Sequence, residues 1–149
     1  MSPKWLLDPD LQDRVRGIMV EVRGSYIDAN GGWHKGECEG KEGIVLSVLN
    51  TNNSLEPTAR VRFFDPVDPL QPILQVPITY LWPVHPKNTG DGVIILAGVQ
   101  GKGQEATVEA IESTNLMVLT TKATFLVIDS PAERLVRIRH VDEVGNLLR

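Results

Sequence analysis

Few side chains in this chain are suited to metal binding or nucleophilic catalysis. His34 and Cys38 are four residues apart and supply half of a tetrahedral zinc site, but the second pair of ligands is missing. His85 and His140 are distant from both in the sequence and have no metal-ligand spacing. A nucleophilic pair of Cys38 and His34 would also lack a third residue to orient it. The sequence therefore predicts no metal and no catalytic residue, with Cys38 as a loop or partly buried thiol.

A glycine-rich segment, Gly98 to Gly103, has the composition of a phosphate-binding loop but not its order. In a P-loop the lysine is followed by Ser or Thr and then by a helix, whereas Lys102 is followed by Gly-Gln and an alternating strand pattern. The acidic residues Glu37 and Glu39 lie in a polar stretch, which is typical of solvated charges. We expect neither an enzyme nor a bound cofactor.

Basic residues spaced two apart are the candidates for contacts with nucleic acid or with a partner protein. Arg137 and Arg139 form the best pair, because they alternate with apolar residues and so share one outer face of a strand. Arg60 and Arg62 repeat that pattern earlier in the chain. The alternative is that all of these are ordinary solvated charges. The candidate binding residues are Lys35, Lys41, Arg60, Arg62, Lys87, Lys102, Arg137 and Arg139.

Aromatic side chains offer a second kind of binding site. A cluster of them can form a cage that holds a methylated lysine or arginine by cation–π attraction. Trp33, which follows Ala-Asn-Gly-Gly, is expected to be the most exposed aromatic residue. In the alternative, Trp33 fixes its own loop while Tyr80 and Trp82 pack at a junction. The other aromatic candidates are Tyr26 and Phe64.

The composition is that of a folded protein with many turns. Of 149 residues, 42% are hydrophobic and 23% charged, while 13 glycines and 10 prolines favour short elements over long helices. The net charge of −4 argues against strong, non-specific phosphate binding, although weak RNA or DNA binding stays open. One cysteine cannot form an internal disulfide. With no apolar run of membrane-spanning length and no signal-peptide core, we expect a soluble, intracellular protein without a membrane partner.

Short segments with a two-residue apolar period predict an all-β fold. Asp8 followed by Pro9 predicts a helical turn near the start, and Ser130 with Glu133 predicts another helical turn or a plain turn. Pieces of strand lie beside prolines, which places them at sheet edges or bulges. The predicted strands are 18–22, 43–48, 59–64, 73–76, 78–81, 93–96, 106–111, 116–120, 125–128 and 135–138.

The strands divide into two halves at a stiff, proline-containing junction, Leu81 to Pro86. We predict one small barrel over residues 1–85, with an N-terminal anchoring segment, and a second over residues 86–149. Each is small enough that packing against the other would help both cores. Pro72 and Pro77 interrupt edge strands, which argues against sheet-to-sheet dimerisation and favours a monomer.

The second half opens with a segment, Gly90 to Ile111, that resembles a KOW motif. It contains a Gly-Asp turn, an alternating strand, a glycine-rich turn with a lysine, and another alternating strand. The first half repeats the theme from Val20 to Val45, with an insertion at 27–39. Gly43 is placed where the motif has its most constant glycine, and such glycines are expected to allow positive φ in tight turns. The equivalent position in the second half is assigned to Thr107, a departure from the pattern.

Residues 5–149 are similar to the C-terminal tandem KOW module of the large subunit of the eukaryotic elongation factor DSIF, a relative of bacterial NusG. The likeness extends from Trp5-Leu6-Leu7 through the Pro-rich junction to Leu135 and Arg139. It implies two tandem five-stranded SH3-like (Tudor/KOW) barrels with a short N-terminal helical turn. It also implies a non-catalytic nuclear module that docks on RNA polymerase, elongation factors or nucleic acid. The alternative is a Tudor-like reader of methylated lysine or arginine.

Overall fold

The chain folds into two five-stranded antiparallel sheets with little helix, in a computed structural model that describes residues 5–25, 33–49, 56–97, 102–122, 124–129 and 131–140. The first sheet contains β1 Met19–Val22, β2 Glu42–Leu49, β3 Thr58–Phe63, β4 Ile73–Pro77 and β5 Leu81–Pro83. The second contains β6 Gly92–Ile95, β7 Glu105–Ser113, β8 Leu116–Thr120, β9 Phe125–Asp129 and β10 Leu135–Arg137. The helical pieces are 3-10 helices at Trp5–Leu7, Pro9–Arg14, Trp33–Gly36 and Ile78–Tyr80 and a short α-helix, α1, at Pro131–Arg134.

The strands form where apolar residues alternate, so the predicted all-β class is confirmed. In β3, Ala59, Val61 and Phe63 are buried while Arg60 between them is exposed. Alternation of this kind gives one face to the core and the other to water. Among the described residues, no helix is long and apolar enough to cross a membrane.

Both sheets have the same strand order. The first runs β4-β3-β2-β1-β5, and the second, taken from its other edge, runs β9-β8-β7-β6-β10. In each, the last strand returns to pair with the first after one short helical turn, Ile78–Tyr80 or α1. No backbone pairing among the described residues joins the two edges of either sheet. The molecule is thus a structural duplication of one five-stranded unit.

The strand registers fix which residues correspond in the two sheets. Each sheet has a β-bulge in its second strand, just after Val45 in the first sheet and just after Val108 in the second. Aligning the bulges matches Gly43 with Ala106, which is opposite Val93 as Gly43 is opposite Val20. The assignment of Thr107 to this position was wrong by one residue, because strand pairing, not the spacing of glycines, sets the register.

Gly43 is required for close packing between strands and not for a positive φ. A Cβ atom built there would lie 2.6 Å from the carbonyl oxygen of Arg62 and 2.7 Å from Cγ1 of Val61. Positive φ angles occur instead at glycines such as Gly17 and Gly103. The expectation that Gly43 serves a tight turn is therefore corrected: it lies inside β2, where β3 approaches too closely for any side chain.

Among the described residues, two main hydrophobic cores hold the sheets together, and one of them draws on both halves, while Met19, Ile44 and Val84 form a third, small cluster. The second core is built from the inner faces of β6 to β10. The first core contains the inner face of β1 to β5 and also residues of the second sheet. Ile94 and Val136 of β6 and β10 point away from their own core into the first. The other residues that cross in this way are Leu96 and Ile138.

The end of β10 is joined to the first sheet through the backbone. Ile18 and Ile138 form an isolated antiparallel bridge, and the amide of Arg139 donates to the carbonyl of Gly17 at 2.8 Å. Gly17 has a φ of +99°, and a Cβ atom there would lie 2.5 Å from the carbonyl oxygen of Arg139. Only glycine allows this approach, so the two sheets meet at a fixed junction.

The N-terminal helical turn is present as predicted. Asp8 caps the 3-10 helix Pro9–Arg14 by accepting a hydrogen bond from the amide of Asp10 at 3.0 Å. Trp5, ahead of it, is buried in the first core and donates through Nε1 to the carbonyl of Leu81 at 2.9 Å. A helical turn also occurs after residue 130, as α1, although Ser130 itself lies outside the described residues.

Candidate binding surfaces

The outer face of β3 carries two arginines, which together we term the arginine face. Arg60 and Arg62 lie on the side of the strand opposite the buried Val61. Their register neighbours on β4 are Gln75 and Ile73. No Asp or Glu among the described residues lies within ion-pair distance of either guanidinium group, so their charge is not neutralised locally.

Lys102 and Lys41 are paired with carboxylates instead of being available to a ligand. Lys102 Nζ lies 3.0 Å from Asp8 and 3.2 Å from Asp10, and these hydrogen bonds raise the pKa of the lysine. Gly103, beside it, sits so close to the chain at Asp10 that a Cβ would lie 2.8 Å from that carbonyl oxygen. Lys41 Nζ donates to the Asp65 carbonyl at 2.8 Å. Both lysines fasten loops to the rest of the fold.

Arg137 and Arg139 have different surroundings. The Arg137 guanidinium lies 3.4 Å from the carboxylate of Asp91, which is buried and also accepts from the amides of Lys87 and Asn88 at 2.9 and 3.0 Å. Arg137 is therefore part of an internal network that fixes the start of the second half. Arg139, two residues later and beyond the end of β10, lines a cavity at the junction of the two sheets.

The remaining predicted cations, Lys35 and Lys87, are exposed and belong to neither the arginine face nor the junction. Lys35 and its neighbour His34 have left-handed backbone conformations, with φ of 54° and 50°. Neither lysine has a carboxylate within ion-pair distance among the described residues.

A cationic cleft at the junction was missed by the sequence analysis. It consists of a cavity of about 240 Å³ and an adjoining one of about 580 Å³ that share Arg14 and Glu105. Its cations come from three distant parts of the chain, so no local motif could reveal it. The charged groups of this junction cleft are Arg14, Arg16, Glu105, Lys122, Arg139 and His140.

The described aromatic side chains do not meet around one point. Trp33 is only half-exposed and packs on the first core, with its ring centroid 4.3 Å from that of His34. Tyr80 also packs on that core. Trp82 is the more exposed tryptophan, at 41%, and the guanidinium carbon of Arg23 lies 5.8 Å from its ring centroid. Of the remaining aromatic candidates, Phe64 is exposed, whereas Tyr26 lies outside the described residues.

Residues 34–39 form a structural loop. Cys38 is buried, and desolvation raises the pKa of its thiol. Glu39 accepts hydrogen bonds from the amides of Gly24 and Ser25 at 3.0 and 2.9 Å and from the Ser25 hydroxyl at 2.5 Å, and these bonds lower the pKa of its carboxyl. Within the described part of the chain, no three His, Cys, Asp or Glu side chains converge as a metal site would require.

Comparison with protein-family models gives no match, and comparison with curated proteins gives no significant match.

Proposed function

We propose that this chain is a non-catalytic binding module made of two SH3-like barrels of KOW type, and that it docks in the nucleus on the transcription elongation machinery. The observation that carries the proposal is the repeated strand order, in which a four-stranded meander is completed by a fifth strand that pairs with the first after one helical turn. A small sheet unit of this kind presents a broad outer surface and leaves little room for an enclosed reactive centre.

The arginine face supports a docking role for the first unit. Arg60 and Arg62 are held by a strand whose other face is buried, so their backbone positions are fixed before any partner arrives. Arginine is well suited to such a surface because its planar guanidinium binds carboxylate or phosphate in a bidentate manner. RNA polymerase, an associated elongation factor and nucleic acid all carry such groups.

Binding to a purified RNA polymerase elongation complex tests the proposal. The labelled chain is expected to shift the mobility of a complex assembled on an RNA–DNA scaffold. Replacing Arg60 and Arg62 by Glu is expected to weaken that interaction by more than about tenfold, because charge reversal on a rim of complementary charge slows association and weakens the complex. The matched control is Lys35→Glu with Lys87→Glu, which changes the net charge equally elsewhere.

The outcomes separate the candidates. No shift of the elongation complex, or equal loss in the control variant, contradicts docking through the arginine face. Binding of trimethyl-lysine peptides in preference to unmethylated ones would instead favour the Tudor-like alternative, and Trp33→Ala should then abolish it. A fluorescent fusion excluded from the nucleus would contradict the proposed location.

A further inference from the structure

The junction cleft lies where the two sheets meet and is built from three separate segments. Arg14 and Arg16 come from the end of the N-terminal 3-10 helix and the residues after it. Arg139 follows β10, and Lys122 follows β8. Glu105, at the start of β7, is the single described carboxylate in the lining of the two cavities.

The cleft concentrates positive charge in an acidic protein. Three arginines and one lysine face one glutamate there, whereas the whole chain has a net charge of −4. Elsewhere, cations such as Lys102, Arg134 and Arg137 lie within 4 Å of a carboxylate. Arg14, Lys122 and Arg139 have no such carboxylate among the described residues. Uncompensated cations in a concave site produce a focused positive potential.

The backbone beside Arg16 and Arg139 is fixed. The amide of Gly17 donates to the carbonyl of Val45 at 2.9 Å, and its carbonyl accepts from the amide of Arg139 at 2.8 Å. Ile94 and Ile138, both buried, contribute apolar surface to the lining of the smaller cavity. Arg16 is further held by the hydrogen bond from its Nη1 to the carbonyl of Leu46 at 3.3 Å. A ligand would therefore meet a preformed site, which reduces the entropic cost of binding.

The lining of the larger cavity indicates the class of ligand. Beside the cations it has neutral hydrogen-bonding side chains, which suit the edges of unpaired bases and ribose hydroxyls. Guanidinium groups spread over two adjoining cavities suit successive phosphates of one strand better than a single small anion. These neutral lining residues are Gln104, Thr107 and Thr120.

We propose that the junction cleft binds single-stranded nucleic acid, with Arg14, Arg139 and Lys122 on the phosphates. This inference rests on the proposed function in one respect, which is that the chain is a binding module. The cleft is a different surface from the arginine face. No described Phe, Tyr or Trp side chain lines either cavity, so contacts to phosphates, which carry no sequence information, are expected to supply most of the affinity.

The salt dependence of binding counts the phosphate contacts. For single strands, a plot of the logarithm of affinity against the logarithm of salt concentration has a slope of about −0.7 per neutralised phosphate, so three cations give about −2.1. Between about 50 and about 200 mM salt, the affinity for a labelled single-stranded RNA should fall by about twentyfold. Fluorescence anisotropy of the full chain measures both quantities.

Neutralising part of the cleft should change that slope. Arg14→Gln with Arg139→Gln is expected to reduce it to about −0.7, whereas Lys35→Gln with Lys87→Gln should leave it unchanged. Because Arg139 is half-buried, a second variant, Arg14→Gln with Lys122→Gln, repeats the test with two exposed residues. An unchanged slope in a cleft variant that remains folded by circular dichroism, or an equal change in the lysine control, overturns the assignment.

Competing ligands and the polymerase assay complete the test. A polyglutamate peptide of equal length that binds as tightly as the RNA, or a duplex that binds more tightly, overturns the choice of ligand. Absence of RNA binding at protein concentrations up to about 100 μM overturns the cleft assignment whatever the polymerase assay gives. RNA binding with the expected slopes but no docking on polymerase supports the cleft and contradicts the proposed function.

Discussion

The two sheets share one strand order, but side chains at equivalent positions are exposed in one sheet and buried in the other. Glu21 and Trp82 on the outer face of the first sheet correspond to Ile94 and Val136 in the second. Trp82 is 41% exposed, whereas Ile94 and Val136 are 1% and 0% exposed. The second sheet therefore packs on the first through Ile94 and Val136 of its outer face, whereas the equivalent Glu21 and Trp82 are left partly open to solvent. Elsewhere on the outer face of the first sheet, Met19 and Ile44 are buried with Val84.

The next strands differ in a second way. The outer face of β3 in the first sheet is charged, whereas the outer face of the equivalent β8 in the second sheet is uncharged. The neighbouring edge strand β9 carries Phe125 and Val127, which are 68% and 66% exposed. The charged surfaces that we propose for binding therefore lie on the first sheet and at the junction. The register pairs that show the contrast are Arg60 with Val118, Arg62 with Thr120, and Gln75 with Val127.

The largest effect is expected from a substitution that weakens the packing of one sheet on the other. Ile94→Ala should destabilise the protein by about 3 kcal/mol, because it removes a buried side chain from a core that both sheets share. The equivalent Glu21→Ala should cost less than about 0.5 kcal/mol, since it removes only a solvent-exposed ion pair with Arg23. Differential scanning calorimetry should show one transition, lowered by about 10 °C in Ile94→Ala.

A second, separate transition in that variant would contradict a shared core. It would mean that each sheet unfolds by itself and that the residues crossing from β6 and β10 add little to the first core. Equal effects of Ile94→Ala and Glu21→Ala would contradict the asymmetry between the sheets.

A smaller effect tests whether Gly43 and Ala106 occupy equivalent positions in the two sheets. Gly43→Ala should cost about 2 kcal/mol, because the added methyl group would collide with the backbone of Arg62. The reverse change at the matched position, Ala106→Gly, should cost only about 1 kcal/mol, from greater chain entropy and a lost core contact. Urea denaturation measures both. A Gly43→Ala variant as stable as the wild type would show that β2 and β3 separate easily.

The smallest effect concerns the loop between β1 and β2. Hydrogen bonds from Ser25 and Gly24 hold the pKa of Glu39 below its ordinary value of 4.5. Such a group stabilises the fold above the unfolded pKa, and that stability is lost as the pH falls through the folded pKa. Glu39→Gln should therefore cost about 1 kcal/mol at neutral pH, and the difference from wild type should vanish in strong acid.

Denaturation curves at a series of pH values give this difference, with Glu37→Gln as the exposed control. A difference from wild type that is constant from neutral to acidic pH would show that the Glu39 carboxylate is not what the hydrogen bonds stabilise.

The strands were predictable because their signal is local. Residues 59–64 were predicted and Thr58–Phe63 was found, since alternation of Val61 and its neighbours depends only on the two faces of one strand. The cap at Asp8 was predictable for the same reason: a side chain and an amide two residues apart form it. Ion pairs such as that of Lys102 with Asp8 were not, because they join loops that are distant in the sequence.

The binding surfaces were predictable only in part. The arginine face follows from alternation in β3, but the partnership of Arg137 with Asp91 does not. The junction cleft was out of reach of a sequence pattern, because Arg14 and Arg139 are brought together by the close approach of the chain at Gly17. The role of Gly43 was misread for a similar reason, since only the pairing of β2 with β3 reveals the crowding.

The position of β10 affects how the protein folds during synthesis. This strand contributes Leu135 to one core and Val136 to the other, yet the ribosome adds it after every other strand described above. A nascent chain that stops short of residue 135 holds two open apolar surfaces at once and is exposed to aggregation or chaperone capture. Neither core is therefore complete until β10 has been made and has paired with β6.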